Sequence, residues 1–352
     1  MSTSATVDLR PARLRIRWIA VGAATVAVAL AVGVAVGPVS VGLGGLVGEV
    51  TSRVPVIGTG EGLNAQDATI VWELRLPRVV LALLVGSMLA SAGATYQGVF
   101  RNPLADPYLL GAAAGAGLAV TVVLIISPGL SGGGLSPLPL AAFGGALVAV
   151  LLSYALGRAS GGRSPATLLL AGVAVASFLT AVQTYAQQQH VDTIRQVYSW
   201  ILGRLSTAGW SDVLLVLPYF IVTTAILLAH RRVLDVLAVG DTEATTLGVP
   251  TARTRLVIVA TASLATAAAV SVSGLIGFVG IIVPHTVRLV AGSSYRVILP
   301  LSLFFGAAFL AFADLAARTV ASPSEIPIGV VTAFVGAPFF ILVLRSAQEA
   351  RA

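Results

Sequence analysis

Apolar residues run along this chain in blocks of roughly 17–20, the length a helix rising 1.5 Å per residue needs to cross a bilayer core. The blocks are rich in Ala, Leu, Val and Gly and lack period-two alternation, which selects helices over the strands of an outer-membrane barrel. The pattern predicts ten spans, at residues 18–37, 71–94, 109–126, 138–156, 166–183, 213–229, 256–272, 275–290, 297–313 and 328–344. The fold class is therefore all-α, a polytopic membrane protein.

Composition agrees with that reading. Of 352 residues, 57% are hydrophobic and only 10% charged, at a mean hydropathy of +0.96, more apolar surface than one soluble core can hide. The net charge of +7 invites a nucleic-acid reading, but the basic residues sit in short connections between apolar blocks, with no basic stripe or aromatic platform. All 21 are arginine, and fifteen fall in the segments that an even helix count places in the cytoplasm with both termini, against six outside. Residues 1–17 read as a cytoplasmic N-terminal segment, 18–345 as a single transmembrane domain and 346–352 as a cytoplasmic C-terminal tail. A basic run followed by an apolar stretch also opens cleaved signal peptides, but residues 18–37 are long for a signal core and lack a cleavage site. Absence of cysteine excludes disulfides and thiol chemistry. Absence of lysine excludes a Walker A loop, so any ATP is bound by another chain.

The connections carry the candidate chemistry. Outside, residues 39–70 read as a polar loop, 127–139 as a glycine-rich loop, and 187–212, with Tyr198, Trp200 and Trp210, as holding a short interfacial helix. Inside, residues 237–250 read as two short helical pieces broken by glycine and ended by Pro250, an element built to insert into a partner. Gly111 and Gly115, and Gly274, Gly277 and Gly280, have the small-residue spacing of close helix packing in lipid. Arg75 and Arg78 share a helix face at the outer surface, against the positive-inside trend, and Arg318 joins them there. Snorkelling to lipid phosphates is one use for them; exposed arginines that receive carboxylates from a docking protein are another. His190, His230 and His285 lie in separate segments without carboxylates at ligand spacing, His285 being expected to cap or pack a helix end. No nucleophile–base–acid set is visible, so no enzyme is indicated.

Taken in order, Arg75-Leu-Pro-Arg78, Gly93-Ala-Thr-Tyr-Gln-Gly-Val-Phe-Arg-Asn-Pro-Leu-Ala-Asp-Pro107, Leu168-Leu-Leu-Ala-Gly172, residues 240–250, Gly274-Leu-Ile-Gly-Phe-Val-Gly-Ile-Ile-Val-Pro-His285 and Glu325-Ile-Pro-Ile-Gly-Val-Val-Thr-Ala-Phe-Val-Gly-Ala-Pro338 resemble the FecCD family of ABC importer permeases. That family serves iron-siderophore complexes, haem and vitamin B12. The resemblance implies ten helices per subunit, a type II importer fold in the bacterial inner membrane, and a second permease subunit, identical or paralogous. It further implies an extracytoplasmic substrate-binding protein docking on Arg75, Arg78 and Arg318, and partner ATPase subunits that hold ATP and magnesium, this chain binding no cofactor. Gly240, Asp241, Glu243, Ala244, Leu247, Gly248 and Pro250 match the family's coupling segment. Ser164, Pro165, Ala166 and Thr167 fall at its cytoplasmic gate, where Pro165 and Ala166 depart from the small hydroxyl residues of the vitamin B12 member. Ferric siderophore is the expected cargo, with haem and vitamin B12 as alternatives. An ion-coupled secondary transporter would instead need acidic residues deep in the membrane, and Asp106 and Asp314 are the few candidates.

Overall fold

The computed structural model describes residues 14–39, 44–45, 48–49, 63–127, 137–160 and 165–349. Among them there is no strand. The helices are α1 (Ile16–Ala35), α2 (Ala65–Phe100), α3 (Ala112–Ile126), α4 (Leu138–Ala159), α5 (Pro165–Gln189), α6 (Ile194–Ile201), α7 (Trp210–Val239), α8 (Asp241–Thr246), α9 (Thr251–Ser273), α10 (Val279–Ala291), α11 (Tyr295–Thr319) and α12 (Ile328–Glu349). Each of the ten predicted spans falls on one of them. Seven are long and apolar enough to cross a membrane, while Ala112–Ile126, Val279–Ala291 and Ile328–Val343 are shorter apolar stretches.

Helix α2 is the axis of the bundle. From Pro77 onward nearly every side chain is buried, and α7, α9, α10 and α11 pack around it. Glycines let the backbones approach: a Cβ on Gly86 would strike the Gly306 carbonyl of α11, and one on Gly93 the Gly280 carbonyl of α10. Gly115 and Gly145 make the same contact between α3 and α4. The expected glycine packing thus holds at Gly115 and Gly280. Gly274 (φ 69°) both supplies positive-φ backbone at a break and lies against the Trp200 carbonyl, where no Cβ would fit, while Gly111 (φ 81°) serves the turn alone and Gly277 has open space beside it.

Those breaks correct two predicted boundaries. Residues 275–278 do not join a span: the chain leaves α9 at Gly274 and re-enters a helix only after Phe278, itself left-handed at φ 69°. Likewise 102–111 is non-helical before α3. The two irregular stretches satisfy each other, since the Tyr108 hydroxyl donates to the Ile276 carbonyl at 3.0 Å and accepts from the Ile276 amide at 3.1 Å, and Pro107 packs on Gly280. Non-helical backbone at membrane depth survives only when enclosed in protein in this way or lining a cavity.

A π-helical turn, Ile70–Arg75, interrupts the start of α2. Pro77 has no amide and its ring crowds the carbonyl four residues back, so the turn widens to relieve the clash. The Trp72 carbonyl, which faces the missing proline amide in that pattern, accepts the Trp210 indole N–H at 2.9 Å. This contact pins the start of α7 to α2. The connection 187–212 holds α6 as expected, with Val197 and Trp200 buried and Tyr198 exposed.

Candidate docking and coupling surfaces

The two ends of the bundle take their names, outer and inner, from the arginine distribution. At the outer end Arg75, Arg78 and Arg318 come together, but not as exposed residues. Arg75 is 5% exposed and donates to the carbonyls of Val34 (3.0 Å), Ala35 (3.1 Å) and Val39, satisfying the acceptors left open where α1 ends. Arg318, 2% exposed, donates to the Gly33 carbonyl and lies 3.5 Å from Asp314. Arg78 bonds Asp314 at 2.9–3.1 Å and Glu325 in a two-pronged pair at 2.8 and 3.0 Å. The expectation of three exposed arginines is therefore corrected. A guanidinium near lipid needs partners for its donors, and α1, α11 and the segment before α12 supply most of them, the Arg318 Nε having only the 3.5 Å approach of Asp314. Asp314 is enclosed and already holds two cations, which removes it as an ion-coupling carboxylate.

At the inner end, the predicted pieces resolve differently. Residues 237–239 complete α7, and Gly240, in extended backbone (φ 172°), breaks the chain before α8. The Glu243 carboxylate lies over Gly240 where any Cβ would sit. Gly248 (φ 79°) ends α8, its amide bonding the Thr245 carbonyl at 2.9 Å while Val249 bonds Ala244 at 3.0 Å, a left-handed helix stop. Asp241 and Ala244 face the bundle: Ala244 is buried, and Asp241 pairs with Arg255 at 2.6 Å and lies 3.8 Å from Arg101. Glu243, Leu247, Gly248 and Pro250 face outward, with Leu247 70% exposed.

The gate residues are only partly placed. Ser164 lies outside the described residues, Pro165 opens α5, Ala166 is exposed and Thr167 half-buried. Proline suits a first helical position because its missing amide has no partner there anyway. His285 sits within α10, edge-on to Phe339 at 5.8 Å between ring centres, so it packs but caps nothing. His190 and His230 each donate from Nδ1 to the carbonyl one turn back, Ala186 and Ile226 respectively. Among the described residues no group of acidic or histidine side chains could hold a metal.

Sequence reasoning overlooked one network at the inner end. Gln97 on α2, 2% exposed, donates to the Gly280 carbonyl and accepts from Arg288, each at 3.1 Å. Arg288 also reaches the Tyr295 hydroxyl at 3.2 Å, and the Tyr295 amide donates to Asp235 near the end of α7 at 2.5 Å. A glutamine inside an apolar helix is itself a signal of this kind of role.

A bundle with enclosed irregular backbone, a folded element protruding at one end and paired arginines at the other defines a membrane transport permease. The FecCD transport family matches residues 23–346, and the chain belongs to it. It is 42% identical over 352 residues to the cobalamin import system permease protein BtuC of Halobacterium salinarum, covering 99% of this chain and 93% of the relative. It is 38% identical over 275 residues to the Fe(3+) dicitrate transport system permease protein FecD of Escherichia coli, covering 78% and 85%. Among solved structures, a metal-chelate type ABC transporter in an inward-facing conformation superposes with a TM-score of 0.80 at 26% identity, over 94% of this chain and all of that one.

Proposed function

We propose that this chain is the inner-membrane permease subunit of an ATP-driven importer that carries a ferric siderophore by alternating access, both termini lying in the cytoplasm. The observation that carries the importer reading is the folded, outward-facing element at residues 240–250, which a self-contained transporter would not need. In this reading Leu247, Glu243 and Pro250 enter a cleft of the partner ATPase. Asp241, held by Arg255, transmits its motion to α9. ATP and magnesium stay on that partner, and this chain performs no catalysis. A second permease subunit completes the path, with residues 164–167 at its inner gate. Leu247→Asp is expected to weaken ATPase association about thirtyfold, as removal of an interface anchor does, with stability unchanged. Co-purification with the ATPase subunits reads this directly, and intact association would remove Leu247 from the contact.

A substrate-binding protein docks at the outer end. Arg75 and Arg318 are enclosed, so they hold the platform, and Arg78 with its half-exposed partner Glu325 is the pair that can exchange. A carboxylate on the binding protein replaces Glu325 on Arg78. Glu325→Gln is expected to tighten docking about two- to fivefold, the value of releasing one partly exposed ion pair. Equal affinity in a titration would exclude Arg78 as the contact.

Cargo is a metal chelate in this reading, and iron permeases such as the FecD relative support ferric siderophore. Cobalamin is the second reading, favoured by the 42% match that spans nearly the full chain. Vesicles holding the permease, ATPase and binding protein, offered a ferric hydroxamate and cyanocobalamin in turn, decide between them. Uptake without ATP would overturn the importer reading.

A further inference from the structure

Gln97 and Arg288 occupy an unusual position. The guanidinium carries a full charge, yet its partners are two neutral oxygens, the Gln97 amide and the Tyr295 hydroxyl. No carboxylate lies within ion-pair distance of it among the described residues; Asp235, at the far end of the network, pairs instead with Arg296 at 3.4 Å. They also form one unbroken chain. Asp235, five residues before Gly240, accepts from the Ser294 hydroxyl and the Tyr295 amide; Tyr295 accepts from Arg288; Arg288 donates to Gln97; Gln97 donates to the Gly280 carbonyl. Gly280 lies one residue into α10, directly after the break at Gly274–Phe278. Packing follows the same line, since Gly98 leaves room only for the Tyr295 ring and Leu234. The neighbouring Arg101 lies 3.8 Å from Asp241 of α8, and the bonded chain itself ends at Asp235 in the last turns of α7, the helix that leads into α8.

We propose that Gln97, Arg288 and Tyr295 are positioning residues of the transport cycle, forming a relay that passes movement of the coupling element to the break between α9 and α10. The inference rests on the reading of residues 240–250 as the ATPase contact. Bonds between helices in membranes are modest, so a chain of them can shift between two arrangements where a buried ion pair would lock. Without the relay the inner end still packs and the ATPase still binds, but the break no longer follows.

Gly277 offers a reporter at the break, because a Cβ there meets open space. The chain contains no cysteine, so Gly277→Cys is its single thiol. Its alkylation by a water-soluble maleimide, read by the mass of this chain, is measured in the assembled complex with and without ATP and vanadate. The parent is expected to show a nucleotide-dependent rate. Gln97→Met, which keeps volume and removes both bonds, is expected to shrink that dependence about three- to thirtyfold while ATP hydrolysis stays within about twofold. Tyr295→Phe removes one hydroxyl without disturbing packing and is expected to give a smaller loss in the same direction. The double variant is expected to lose no more than Gln97→Met alone, because both act on one chain. Undiminished nucleotide dependence in Gln97→Met and Tyr295→Phe, or additive losses in the double variant, overturns the relay; if Gln97→Met does not assemble, Tyr295→Phe alone decides. A parent complex without nucleotide dependence would strike the importer reading as well, and is thereby told apart from failure of the relay alone.

Discussion

Arg78→Ala is expected to destabilise the protein by about 3–5 kcal/mol, the largest effect of any single side-chain removal at the outer end. The loss comes less from the vanished bonds than from what remains. Asp314 is 1% exposed and would be left in a low-dielectric setting with only Arg318 beside it, so that the carboxylate must stay largely uncompensated or bind a proton, each at a cost. Removing the stranded charge should restore most of the deficit, so Arg78→Ala with Asp314→Asn is expected to be more stable than Arg78→Ala alone. Folded fraction during denaturant titration in detergent measures both. If the double variant is no better than the single, the carboxylate is not the source of the penalty.

Gly93→Val should come close behind, at about 3 kcal/mol, through a different mechanism. Its added carbons would meet the backbone of Gly280 in α10, which cannot rotate aside as a side chain would. To admit the valine, α2 and α10 must separate, and the helix that moves carries the break and Pro107 contact with it. Gly144→Val is the control, because a Cβ at Gly144 meets nothing within 4 Å. Its melting should match the parent, and equal losses in both variants would mean that helix propensity outweighs helix approach.

Hydropathy located all ten spans because lipid imposes one length and one chemistry on whatever crosses it. It could not see the interruption at 274–278, where Leu275, Ile276 and Phe278 keep the average high while Gly274 and Phe278 turn left-handed. Averaging is blind to backbone angle. The arginine count placed Arg75, Arg78 and Arg318 at one end, as the fold does, but their exposure depended on partners far along the chain. Asp314 and Glu325 lie 236 and 247 residues from Arg78, and nothing local announces that they fold back onto it. The segment 237–250 was legible as a structured element because glycine and proline punctuate it. Which of its residues point outward was not, since Ala244 and Asp241 turn inward only by virtue of α7 and Arg255.

The enclosed irregular stretches carry one more consequence. Helices α3 and α10 begin a few residues beyond the bonded pair Tyr108 and Ile276, at Ala112 and Val279, and Pro107 packs against Gly280. Each helix start presents the equivalent of about half a positive charge, and here two such ends share a low-dielectric neighbourhood. The Asp106 carboxylate stands in the same stretch, accepting from the Tyr108 amide at 2.7 Å, so the breaks bring an acidic side chain and two helix starts together inside the bundle.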